Sequence, residues 1–198
     1  MDMSDNIKPQ VIAIEEHYLD AVVAEKGAGG PPHISEKLSN LGEMRLREMD
    51  EAGIDIQVLS HCPPGAQDFD VKDAADQARG INDRLSKFVE TEPNRFAAFA
   101  TLPTQDPENA ARELDRCVNE YSFKGAMLHG LTKGKFHDEK EFWPIFECAA
   151  KLDVPIYIHP GMPHPQVVDL YYGTYKEKYP PIMQAGWGFT VETATAGV

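Results

Sequence analysis

Three residues of this chain have the types and spacing of a divalent metal site. Glu15 and His17 end the apolar run Val11-Ile12-Ala13-Ile14, and His159 ends the run Pro155-Ile156-Tyr157-Ile158. Side chains of an extended strand alternate, so Glu15 and His17 project to one face and Glu16 to the other. A carboxylate and an imidazole on one face, joined by a second imidazole from a later strand end, make an O/N donor set that suits zinc or manganese. Three further polar residues stand at strand exits: Ser60 and His61 after the second apolar run, and His129 after the fourth. They are candidates to contact a substrate, the histidines through an anionic or hydroxyl group.

Such residues need a scaffold that brings several strand ends to one place. The stretches Val11 to His17, Ile54 to His61, Phe96 to Leu102, Lys124 to His129 and Pro155 to His159 read as parallel strands buried on both faces. Helical patterns lie between them. Leu41 to Ala52 is closed by Gly53, Val71 to Thr91 is amphipathic, Asp106-Pro107 opens a third helix, and Glu141 to Leu152 forms a fourth. Strands alternating with helices imply βαβ units and a parallel sheet. No G-x-G-x-x-G follows the first strand, and the polar candidates stand at several strand ends, so an α/β barrel fits better than a Rossmann sheet. Residues 18–40, rich in glycine and proline, read as a long active-site loop within one domain spanning 1–198.

Composition narrows the partners. A formal charge of -13 excludes nucleic acid, whose phosphates require clustered Lys and Arg. It allows a small carboxylic acid substrate, because a metal and a few donors reverse the potential inside one pocket. No apolar stretch approaches the roughly 18 residues of a membrane span, and the opening MDMSDNIKPQ lacks the pattern of a secretory signal. A cytoplasmic location without a membrane partner is expected. Cys62, Cys117 and Cys148 are widely spaced, with no C-x-x-C, so neither a disulfide framework nor a zinc knuckle is indicated. The cluster Tyr171, Tyr172, Tyr175, Tyr179 and Trp187 reads as packing, for instance at a subunit contact.

Several segments then carry a family signature. They are IAIEEHY at residues 12–18, PNRFAAFATLP at 93–103, FKGA at 123–126 and LDVPIYIHP at 152–160. In this order they resemble the decarboxylase branch of the amidohydrolase superfamily, which includes γ-resorcylate, 2,3-dihydroxybenzoate and aminocarboxymuconate semialdehyde decarboxylases. The resemblance implies a distorted (β/α)8 TIM barrel of the metal-dependent amidohydrolase type. It implies one divalent ion, Zn or Mn, held by Glu15, His17 and His159. The implied activity is metal-dependent, non-oxidative decarboxylation of a hydroxylated aromatic or unsaturated carboxylic acid by a homo-oligomer. A metal-dependent hydrolase or hydratase on the same scaffold is the alternative, and a catalytically incomplete fragment is a third reading. Members of the branch continue with a His-x-Gly-Glu segment and a later Asp-Trp-Pro or Asp-Tyr-Pro segment, neither of which occurs here. About five of eight strands are therefore expected, as part of a longer protein, and no catalytic residue is assigned. Gly161 follows His159-Pro160 where the hydroxybenzoate enzymes tend to carry an arginine.

Overall fold

Every strand of the computed structural model, which describes residues 9–25, 32–175, 177–183 and 186–196, pairs in parallel. The strands are β1 (Ile12–Tyr18), β2 (Ile56–His61), β3 (Phe96–Ala98), β4 (Ala100–Thr101), β5 (Ala126–His129) and β6 (Ile156–His159). They pair in the orders β1-β2-β3 and β4-β5-β6. Helices α1 (Ala21–Ala24), α2 (Pro32–Ser39) and α3 (Glu43–Ala52) follow β1. Then come α4 (Val71–Val89), α5 (Pro107–Tyr121), α6 (Trp143–Leu152), the single turn α7 (Pro165–Val167) and α8 (Gly188–Ala196).

Two expectations change in detail. The strand expected over 96–102 is divided at Phe99. Its N–H still donates to Leu59 O at 2.9 Å, whereas the next residue, Ala100, donates to Gly125 O at 2.8 Å. The segment thus changes partner from β2 to β5 midway, and neither ladder runs its whole length. Residues 18–40, expected as a loop, carry α1 and α2 in their described parts, while 26–31 lie outside the described residues. The side chain of Asp20 caps α1 by accepting from the N–H groups of Val22 and Val23. Leu19 N–H donates to Leu38 O at 3.0 Å, which ties the two ends of this segment together.

The apolar faces divide into two sets. Leu59 and Leu128 point outward and pack with Ile81, Leu85, Leu114, Phe142 and Ile145 of the helical layer. Each such fully buried side chain contributes roughly 1.5–3 kcal/mol relative to exposure. Val58, Phe99 and Met127 point inward, with Ala97 and Tyr157 against them, and form a smaller plug among the strands. Cys117 belongs to the outer core. At the helical layer, buried Asn82 of α4 donates to Thr101 O and accepts from Thr101 N–H, both at 2.9 Å, which fixes the end of β4.

The first strand is not regular. Its register with β2 runs Ile12 to Ile56 and Ala13 to Gln57, then resumes at Glu16 to Leu59 and His17 to Ser60. One extra residue in β1 makes a bulge, which shifts the phase of alternation. Ala13 shares the outward face of Gln57, whereas His17 shares the inward face of Ser60. Gln57 Nε2 donates to Glu16 Oε2 at 3.1 Å, so Glu16 points outward. The bulge falls between Ala13 and Glu16, and the pairing that resumes after it turns His17 to the inward face.

Candidate metal centre

Register delivers the polar residues in pairs at the C-terminal ends of the strands. His17 stands beside Ser60 in the β1–β2 ladder, and His129 stands beside His159 in the β5–β6 ladder. One donor atom each from Glu15, His17 and His159 falls within 4.8 Å of the others. His17 Nε2 lies 3.1 Å from His159 Nε2, which lies 3.4 Å from Glu15 Oε1. Ligand atoms about 2.0–2.2 Å from a shared ion stand roughly 3.0–3.4 Å apart, so these separations fit one centre.

The outer hydrogen bonds fit the same use. His159 Nδ1–H donates to the carbonyl of Pro160 at 2.6 Å, which leaves Nε2 as the lone-pair nitrogen. His17 Nδ1 lies 3.0 Å from Ser60 Oγ, a hydroxyl that donates or accepts and so follows either tautomer. Burial first, and the neighbouring His159 second, push the His17 imidazole down to about 4. Its lone pair is therefore available near neutral pH. Tyr157 OH donates to Glu15 Oε2, and this bond, followed by burial, pushes the phenol up to about 12. The donor set, one carboxylate and two imidazoles, suits a divalent ion of borderline hardness.

The remaining candidates separate. Ser60 is buried and spends its hydroxyl on His17, so the structure places it behind the donors rather than in front of them. His61 is also buried, and both its ring nitrogens serve the backbone. Nε2 accepts from Asp20 N–H at 3.1 Å, and Nδ1–H donates to Cys62 O at 2.7 Å. That leaves neither nitrogen for a substrate. His129 differs: Nε2–H donates to His61 O at 3.1 Å, while buried Nδ1 has no hydrogen-bond partner among the described residues. Its ring stands 5.3 Å from that of His159. The Cys62 thiol is buried and pushed up to about 11, which makes it unreactive.

Sequence reasoning missed the roles of four residues here. Tyr157 shares the inward face of β6 with His159, and the spacing of two along the strand was the available signal. Gln67 grips His129 by its backbone, accepting from its N–H at 2.7 Å and donating to its carbonyl at 2.9 Å. No local pattern marks Gln67, because its partner lies 62 residues away. Gly130 and Gly161, just beyond His129 and His159, let the two exiting chains touch. A Cβ on Gly130 would stand 2.6 Å from Gly161 Cα, and Gly130 has φ 47°.

A cavity of about 460 Å³ opens beside the centre, lined by Gln67, Asp68, His129, Lys133, His164 and Phe189 among others. Lys133 holds φ 50° in the turn closed by the Thr132–Lys135 bridge, and it makes no ion pair among the described residues. A larger apolar hollow of about 1210 Å³, lined by Trp143, Phe146, Ile158 and Val191, touches none of the three donors. None of the three donors lines the smaller cavity either; it comes near them through His129 and Phe189, whose rings stand 5.3 Å and 6.2 Å from that of His159. No helix among the described residues is long and apolar enough to cross a membrane.

The chain is similar to known proteins. The γ-resorcylate decarboxylase of Polaromonas sp. strain JS666 is 37% identical over 195 residues, covering 92% of this chain and 58% of its own length. A crystal structure of a dihydroxybenzoic acid decarboxylase from Polaromonas sp. JS666, with bound manganese and the inhibitor 2-nitroresorcinol, superposes with a TM-score of 0.83 at 35% identity. It covers 94% of this chain and 58% of that one. The 5-carboxyvanillate decarboxylase of Novosphingobium aromaticivorans, complexed with manganese and 4-hydroxy-3-methoxy-5-nitrobenzoic acid, gives 0.85 at 31% identity, covering 96% and 59%. The chain thus spans a little under three fifths of these relatives, and its parallel strands form part of their α/β barrel. With residues 13–195 matched by the amidohydrolase family model, the chain belongs to the amidohydrolase family.

Proposed function

We propose that the protein is a metal-dependent, non-oxidative decarboxylase of a hydroxylated aromatic or unsaturated carboxylic acid. One observation carries this reading: Glu15, His17 and His159 converge at the strand ends of a chain similar to decarboxylases that hold manganese. We assign those three residues as ligands of one divalent ion, manganese in preference to zinc. When bound, the ion supplies Lewis acidity toward the substrate's carboxylate or adjacent hydroxyl. Ser60 orients His17, and His61 holds the entry of α1 through Asp20. Buried His129 Nδ1, unpartnered among the described residues, is assigned to accept from a substrate hydroxyl.

The cavity supports an acidic, flat substrate. Lys133 supplies a cation at its wall in a chain whose net charge is -13, and Phe189 supplies an aromatic face that also meets the His159 ring at 6.2 Å. The described parts of residues 18–40 are assigned as an active-site segment, since the segment begins beside the strand ends, where Asp20 N–H donates to His61 Nε2 at 3.1 Å. Assembly into a homo-oligomer in the cytoplasm completes the reading. The exposed aromatic side chains of Tyr171, Tyr175 and Trp187 support a self-contact.

The test is product analysis of manganese-loaded protein with γ-resorcylate and related hydroxybenzoates. Release of one CO2 per ring product formed is the expected result. Conversion without CO2, by addition of water or cleavage, would establish the hydrolase or hydratase alternative instead.

A further inference from the structure

Each of the three donors is steadied by a different outer partner. The partner of His17 is its ladder neighbour Ser60, and that of His159 is the carbonyl of the next residue. The partner of Glu15 comes from 142 residues away, where Tyr157 OH donates to Oε2 at 2.5 Å. Glu15 Oε1 is the oxygen that lies 3.4 Å from His159 Nε2. The two oxygens of one carboxylate therefore have different duties. The Glu15 side chain is 51% exposed, so packing alone does not fix its rotation. Tyr157 is fixed, with its ring against the inward plug and 6.3 Å from that of Phe99.

We propose that Tyr157 is a positioning residue that holds Glu15 as a one-oxygen ligand, occupying Oε2 so that only Oε1 faces the ion shared with His17 and His159. This rests on the reading of those three residues as a metal group. Carboxylates bind metals through one oxygen or two, and the choice changes the coordination number. A phenol committed to Oε2 removes the two-oxygen option and leaves room at the ion for a substrate oxygen. Removing the phenol frees Glu15 to turn in water or to bind through both oxygens.

The probe is Co2+ alone, whose visible absorption reports its coordination number. It is titrated into the protein, into Tyr157→Phe, into Glu15→Ala and into the double variant, with the unfolding midpoint of each ion-free protein measured alongside. Tyr157→Phe is expected to bind ten- to a hundred-fold more weakly, the usual effect of losing an outer partner of a ligand, with a changed Co2+ spectrum. In the Glu15→Ala background the same substitution is expected to change neither affinity nor spectrum, because the phenol acts through that carboxylate. Equal affinity and an unchanged spectrum for Tyr157→Phe would overturn the proposal. So would an equal loss in both backgrounds, which would make Tyr157 a packing residue. Absence of Co2+ binding to the unaltered protein would instead overturn the metal reading of Glu15, His17 and His159.

Discussion

The two edge strands and the strands between them are built differently. In β2 and β5, Leu59 and Leu128 are completely buried, and each strand has a ladder partner on both sides. In β1 and β6, Ile12, Ile14 and Ile158 are about half exposed, and each strand has a single ladder partner among the described residues. Yet all three proposed metal donors stand on these edge strands. No ladder joins β1 to β6. They meet through side chains alone, Tyr157 to Glu15 and His17 to His159. On the proposed reading the central strands carry the stability and the edges carry the chemistry, so damage to one should leave the other measurable.

The largest expected effect is in the centre. Leu128→Ala removes a fully buried side chain and should destabilise by about 2–5 kcal/mol, read as a shift of the denaturant midpoint. The same truncation at half-exposed Ile158 should cost no more than about 0.5 kcal/mol. An equal loss at Ile158 would show that β6 is covered in the protein and would erase the contrast.

A titration sharpens it further. His137 is buried against Thr132 and Phe142, and burial lowers its pKa from 6.5 to about 4. The unfolded chain binds a proton below pH 6.5 that the native imidazole refuses until about pH 4. This contribution is therefore complete above pH 6.5 and fades as pH falls to about 4, by roughly 3 kcal/mol at 1.36 kcal/mol per unit. In His137→Gln the fall in stability between pH 7 and pH 4.5 should be shallower, while metal affinity at pH 7.5 should not move. An unchanged slope would place the lost protons elsewhere.

The smallest effect lies behind the donors. Ser60→Ala should weaken divalent binding about tenfold, since it leaves His17 without its outer partner but retains all three ligands. Calorimetric titration with Mn2+ checks this. A loss as complete as that of removing a ligand would mean that Ser60 itself faces the ion.

Much of this was legible in the sequence, because strand-length apolar runs ending in polar residues are a local signal. The runs that end at His17 and His159 gave both the strands and the residues that meet. What could not be read depends on partners far along the chain. The bulge in β1 is a mismatch with β2, and alternation within residues 11–17 alone shows no trace of it. The division of the third strand at Phe99 reflects a change of neighbour rather than any breaker in FAAFAT. His61 and His129 look equivalent as histidines at strand exits. Only the fold reveals that one has both nitrogens bonded to backbone and the other has one nitrogen unpartnered among the described residues. Ser60 and Tyr157 act on donors of a neighbouring strand and of the opposite edge, so their roles follow from register and closure.

The most direct test of the account is a Mn2+ titration of chelator-treated protein beside His159→Ala, with circular dichroism to confirm that both are folded. The account predicts one ion per chain in the unaltered protein and a loss of more than about a hundredfold in affinity in the variant, with the same fold. Unchanged stoichiometry and affinity in His159→Ala would contradict it, because the edge strands would then not be what holds the metal.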